Sequence, residues 1–102
     1  MARVQVAEVG EITETKPKRV LVKRQPIAVF LCDGQYYAID DTCTHDDASL
    51  AEGECLDGCR VSCPLHGAQF DIKTGAALTL PAVTPVETYK VTVDGTAIFV
   101  EV

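Results

Sequence analysis

Apolar residues recur along the chain at every second position or in short uninterrupted runs, over residues 20–23, 27–32, 36–39, 59–62, 87–93 and 97–102. Both patterns mark strands. The pattern predicts six strands. Three Asp-Gly pairs, Asp33-Gly34, Asp57-Gly58 and Asp94-Gly95, sit between such runs. The positive φ of a tight hairpin turn suits Gly and is tolerated by Asp, so three antiparallel hairpins are expected. A fourth turn is expected over residues 71–75. Pro17, Pro26, Pro81 and Pro85 fall where edges or loops accept a missing donor. The only helix candidate is a short turn over residues 48–51. Many short strands pack most naturally as an all-β antiparallel barrel or sandwich, here in one domain over residues 1–102.

Length and composition narrow the choice of function. A chain of 102 residues builds one modest core and has no room for a second catalytic unit. With 47% hydrophobic and 24% charged residues it falls within the globular range. The first ten residues lack the apolar run of a leader, and no stretch approaches a membrane span, so a cytoplasmic, unanchored protein is expected. The net charge of −6 argues against nucleic acid as a partner, since phosphate binding needs a basic stripe. The acidic residues gather at Asp41, Asp46, Asp47, Glu52, Glu54 and Asp57, and the basic ones at Lys16, Lys18, Arg19, Lys23 and Arg24. If these two segments lie apart, the molecule is electrically polarised.

Five cysteines cannot all pair within the chain, and without a leader a disulfide framework is not expected, which leaves metal binding as the default. Cys32 ends an apolar run and reads as a buried small hydrophobe. Cys55 and Cys59 flank Asp57-Gly58. In a two-residue hairpin Leu56 would face Cys59, setting the two sulfurs on opposite faces of the sheet, so both are expected as free thiols.

The remaining cysteines pair with the chain's two histidines. Cys43-Thr44-His45 and Cys63-Pro64-Leu65-His66 stand seventeen residues apart, each after an apolar run, so that two hairpin-borne loops can face one metal site. Tetrahedral zinc accepts two thiolates and two imidazoles. Structural zinc, however, commonly uses Cys-x2-Cys or His-x3-5-His spacing, whereas two Cys on one iron and two His on the other is the ligation of a Rieske centre.

With Gly67, Phe70-Asp71 and Gly75 following the second loop, the pattern resembles the Rieske ferredoxins of multicomponent ring-hydroxylating oxygenases, and the resemblance covers nearly the whole chain. It implies one [2Fe-2S] cluster on a small subdomain of two hairpin loops beside a barrel. Cys43 and Cys63 would hold the inner iron, and His45 and His66 the outer iron near the surface. Leu80-Pro81-Ala82 resembles the segment that shields the cluster in that family. Two thiolates neutralise a core of two ferric ions and two sulfides, whereas four would leave it doubly negative; an electron is therefore accepted more readily. Rieske proteins of the cytochrome bc type add a cysteine to each loop and join them by a disulfide, where this chain has Ala48 and Leu65. They also place Ser and Tyr hydroxyls near the sulfurs, where this chain has Ala68 and Phe70, so a potential low in the Rieske range is expected.

The resemblance implies a monomeric electron carrier between a flavin-dependent ferredoxin reductase and a terminal non-haem iron oxygenase. The carrier is not itself an enzyme: no Gly-x-Gly-x-x-Gly fingerprint is present, and with both histidines used no site remains to activate oxygen. The competing readings are the same cluster serving another client such as iron-sulfur assembly, a zinc-stabilised β-module, or a clusterless module of the nitrite reductase small-subunit type.

Overall fold

The computed structural model describes residues 3–43, 48–65, 67–79 and 84–101. Among these the strands are β1 (Arg3–Glu8), β2 (Lys18–Val22), β3 (Gln25–Cys32), β4 (Gln35–Asp40), β5 (Glu54–Leu56), β6 (Arg60–Ser62), β7 (Gln69–Asp71), β8 (Thr88–Asp94) and β9 (Ala97–Glu101). All pairings are antiparallel. Six strands form one sheet in the order β1-β9-β8-β4-β3-β2, and β5-β6-β7 form a second. The expected all-β architecture with a small two-loop subdomain is observed. No helix among the described residues is long and apolar enough to cross a membrane.

The larger sheet curls around its own core. Ala7 of β1, Val22 of β2, Ile27 and Val29 of β3, Ala38 of β4 and Ile98 of β9 share one buried cluster. Edge strands β1 and β2 thereby come close, and their seam is bridged by a side chain: Lys18 Nζ donates to the Val6 carbonyl at 3.1 Å and pairs with Glu11 at 2.7 Å. That bond to Lys18 holds the Glu11 carboxyl below the usual carboxylate range.

Strand β3 explains how the second sheet attaches. Ile27 and Val29 face the barrel core, while Ala28 and Phe30 join Val61, Phe70 and Ile72 in a second core under the small sheet. Successive side chains of a strand point to opposite faces, so a strand between two cores must be apolar at consecutive positions. Residues 27–30 are, and all four are at most 1% exposed. Ile39 of β4 repeats the device beside Ala38. Burying each large side chain contributes about 1.5–3 kcal/mol, which anchors the small sheet on the barrel.

The turns follow the sequence in part. Asp33-Gly34 forms the expected two-residue turn, with φ of +53° and +77° and Cys32 opposite Gln35. The last hairpin turns on Gly95-Thr96, one residue later than expected, because Asp94 still pairs with Ala97. The β2–β3 turn uses Lys23 and Arg24 with φ of +51° and +69°, so Lys23 leaves the strand span expected for it. The helix candidate over 48–51 is a single 3-10 turn, Leu50–Glu52. Leu56 pairs with Arg60 and not Cys59, so the Asp57-Gly58 hairpin has a three-residue loop ending on Cys59 at φ +57°.

Candidate metal centre

Two loops of matching construction rise from the junction of the sheets. After β4 the chain turns at Asp41, whose amide donates to Pro26 at 3.1 Å. Thr42 bridges Ser49, and Leu50 N–H returns to the Asp41 carbonyl at 2.7 Å. The Cys43 amide donates to Ala48 O at 3.0 Å, closing a loop over residues 43–48. In the second loop Ser62 pairs with Gln69, and the Cys63 amide donates to Ala68 O at 2.7 Å. Each cysteine amide thus reaches the carbonyl five residues on. Gly67, at φ +73°, lets its own amide fold back to Cys63 O at 3.0 Å.

Cys43 and Cys63 are 3% and 2% exposed and lie in the same buried cluster beneath the loops. His45 and His66 lie outside the described residues, as do Asp46, Asp47 and Leu80-Pro81-Ala82. The donor set suits a cluster whose thiolate side is buried: two sulfurs at the floor, each on a loop closed by its own backbone. The second loop presents Pro64 and Leu65 to solvent.

Two residues that the sequence reading did not single out as structural shape these loops. Asp41 is the buried charged residue among those described, and its side chain is 3% exposed. Its Oδ1 accepts from Ser49 Oγ at 2.8 Å and from Ala51 N–H at 2.9 Å, while Oδ2 meets Arg19 Nε at 3.1 Å. One carboxylate so clamps the base of the first loop from both ends. Arg19 belongs to the basic segment and Asp41 to the acidic one, so the two segments touch and the charge is not segregated along that boundary. Gly53 stands where the loops pass each other: a Cβ there would collide with the Ser62 carbonyl oxygen. Its φ of −78° is open to any residue, so the requirement is one of space.

Beyond the second loop, Asp71 accepts from the amides of Lys73 and Thr74 at 2.7 and 3.2 Å, forming the turn expected over 71–75. Gly75 there, at φ +78°, packs so closely on Val86 that a Cβ would strike the Val86 carbonyl. Leu78 N–H then bonds Gln69 O at 2.8 Å, and Thr79 Oγ1 accepts from Gln69 N–H at 2.9 Å, laying the strap over β7. Ala68 and Phe70 are fully buried. Away from the loops, burial and a hydrogen bond to Asp40 at 2.6 Å push the Tyr89 hydroxyl well above the usual tyrosine range.

The structure corrects the expectation for two cysteines. Cys32 and Cys59 form a disulfide with Cα atoms 5.8 Å apart. The three-residue loop is the reason: it moves Cys59 from the strand to the loop's last position, where its side chain reaches the end of β3. Cys55 pairs with Val61 and is a free thiol as expected, its pKa pushed up by burial.

A model of the Rieske [2Fe-2S] domain matches residues 2–90. The ferredoxin subunit of 3-phenylpropionate/cinnamic acid dioxygenase from Escherichia coli strain K12 is 43% identical over 101 residues, 99% of this chain and 94% of that protein. Among solved structures, the ferredoxin of carbazole 1,9a-dioxygenase from Nocardioides aromaticivorans IC177 superposes with a TM-score of 0.92 at 36% identity, covering 98% of this chain and 97% of that one. A ferredoxin solved with its reduced oxygenase in carbazole 1,9a-dioxygenase gives 0.88 at 35% identity, covering 96% and 100%.

Proposed function

The chain belongs to the Rieske [2Fe-2S] domain family, and on that premise we propose that Cys43, His45, Cys63 and His66 hold its cluster. As a ferredoxin component of a dioxygenase system, the protein carries one [2Fe-2S] cluster and passes single electrons to a terminal oxygenase. Its donor is a flavin-dependent ferredoxin reductase. It works as a cytoplasmic monomer, a single domain over 1–102. The observation that supports the ligand assignment is the pair of loops whose buried cysteines are each closed by an amide bond to the carbonyl five residues on.

The cluster, when bound, accepts and releases one electron. The chain's own residues do the rest. Asp41 and Gly53 hold the loops in register, the second core keeps water from the two thiolates, and Pro64 and Leu65 give the loop tip an apolar face against which a partner can close. Zinc, the competing occupant of the same donor set, is set aside by family membership.

The test is direct. Anaerobically purified protein should contain two irons and two acid-labile sulfides per chain and should be red-brown when oxidised. It should also transfer electrons in a reconstituted reductase–oxygenase assay. His45→Ala and His66→Ala should each lose or convert the cluster, since no third histidine exists. A spectrally unchanged, fully loaded cluster in either variant would overturn the ligand assignment.

A further inference from the structure

The Cys32–Cys59 bond joins the two halves of the molecule: Cys32 ends β3 of the barrel, and Cys59 closes the β5–β6 hairpin of the cluster-bearing sheet. The pair spans 27 positions in sequence, and the ring it closes contains Cys43, the 3-10 turn and the whole first loop. The backbone singles out Cys59 as well. The last position of this three-residue loop is left-handed, at φ +57°, a place where Gly is the ordinary choice and a residue with a Cβ is strained. The chain has a cysteine there, and its side chain makes the cross-link.

The two sulfurs differ in access. Cys59 is 2% exposed, whereas Cys32 is partly exposed and lines a cavity of about 200 Å³ with Cys55, Asp33 and Glu14. Cys55 is the obvious internal competitor for the bond, but burial pushes its thiol pKa up and so lowers its share of nucleophilic thiolate. The Asp33 carboxylate lies 3.5 Å from the Cys59 sulfur and 3.9 Å from Lys73 Nζ. While the sulfurs are bonded to each other, the cluster of Cys32, Asp33 and Cys59 offers no thiolate to a metal.

We propose that Cys32–Cys59 is a second redox site, a thiol–disulfide exchange site for a dithiol reductant, whose state sets how firmly the ligand loops hold their cluster. A thiolate of the reductant attacks Cys32 Sγ, the S–S bond breaks, and Cys59 Sγ leaves with the bond's electron pair and takes up a proton, since its burial beside the Asp33 carboxylate disfavours a lasting thiolate. The reductant's second thiol loses its proton and attacks the mixed disulfide, releasing Cys32. The reductant is oxidised to its own disulfide, two electrons pass to the cysteine pair, and the two protons come from the reductant's thiols. The inference builds on the cytoplasmic reading above: disulfides of cytoplasmic proteins are mostly transient, catalytic or redox-sensing. Reduction frees the hairpin tip from β3 but leaves the second core in place, so the protein stays folded while its loops loosen.

The experiment uses the holoprotein. Its intact mass under denaturing, non-reducing conditions, with iron chelated, should rise by two hydrogens on reduction, and a peptide map should link residues 32 and 59. Cluster loss to a chelator is then followed by visible absorbance with and without a dithiol. Oxidised wild-type protein should lose its cluster several-fold more slowly than reduced. Cys59→Gly, the residue the turn prefers, and Cys32→Ala should both start at the fast rate and ignore the dithiol, while Cys55→Ser should behave as wild type. The mass and peptide map read the bond whether or not iron is bound, so failure of this site is distinct from failure of the cluster assignment. Absence of the link after oxidation, an equal rate of loss once mass shows the bond cut, or a dithiol response surviving in both bond-deficient variants would each overturn the proposal.

Discussion

Replacing Asp41 tests how the first loop is held. Alanine removes two bonds to one buried carboxylate oxygen, from Ser49 and Ala51, and the ion pair to Arg19. Hydrogen bonds to a charged group contribute about 1.5–3 kcal/mol each, less where the orphaned donors regain water. The Arg19 side chain is 48% exposed, so losing its pair adds at most about 1 kcal/mol. Asp41→Ala should therefore cost about 3–4 kcal/mol. Asparagine keeps an oxygen where Ser49 and Ala51 both donate and turns its amide toward Arg19, so Asp41→Asn should cost only about 1 kcal/mol. For a domain of this size each kcal/mol moves a thermal midpoint by roughly 4–8 °C. Because cluster loss makes unfolding irreversible, the variants are compared at one scan rate, following the visible band and far-ultraviolet dichroism together. In Asp41→Ala the visible band should fade ahead of the dichroism, since the loop opens before the barrel. Equal midpoints for Ala and Asn, or an Ala variant within about 3 °C of wild type, would refute the clamp.

Three further outcomes are expected. Gly53→Ala should separate the loops and yield protein with less than half the wild-type iron, although its backbone angles suit alanine; full iron loading would show that the close approach to Ser62 is dispensable. Protein-film voltammetry should place the midpoint low in the Rieske range, below about +100 mV, and Ala68→Ser and Phe70→Tyr should each raise it by roughly 40–90 mV, the one-electron equivalent of about 1–2 kcal/mol, where the new hydroxyl reaches a sulfur. A tyrosinate titration should show a late phase from Tyr89, and Tyr89→Phe should remove it. Because the folded value is the raised one, stability is intact below the ordinary tyrosine value near 10 and falls as pH climbs above it, where only the unfolded chain releases the proton.

Features with local causes were legible in the sequence. The apolar run at 27–32 announced a strand, and Asp33-Gly34 announced its turn, because both depend on a few adjacent residues. The two Cys-and-His segments stood out by their spacing, and the structure brings Cys43 and Cys63 into one buried cluster. What escaped depends on partners elsewhere in the fold or on turns that lack the usual turn residues. Residues 3–8 alternate well enough for a strand, yet β1 pairs with β9 at the other end and has no tight turn to announce it. β7 has three residues and pairs along its length with β6. Lys23-Arg24 takes left-handed angles without the residues that usually reveal them. Asp41 looked like one surface charge among six, and only the fold turns it inward. Cys59 was misplaced by a single turn residue, which turned an expected free thiol into a cross-link.

The side-chain closure of the barrel seam decides where the native state opens first. Among the described residues β1 has strand pairing only with β9, and on its other side it is held by Lys18 at Val6. Peeling it away breaks none of the hydrogen bonds described at Cys43 and Cys63, so the least costly excursion leaves the second core dry. Amide protons on β1 should therefore trade with solvent deuterium through a sub-global opening, while those of Cys43 and Cys63 wait for cooperative unfolding of the second core. The protein can breathe at its first strand without the core beneath Cys43 and Cys63 taking part.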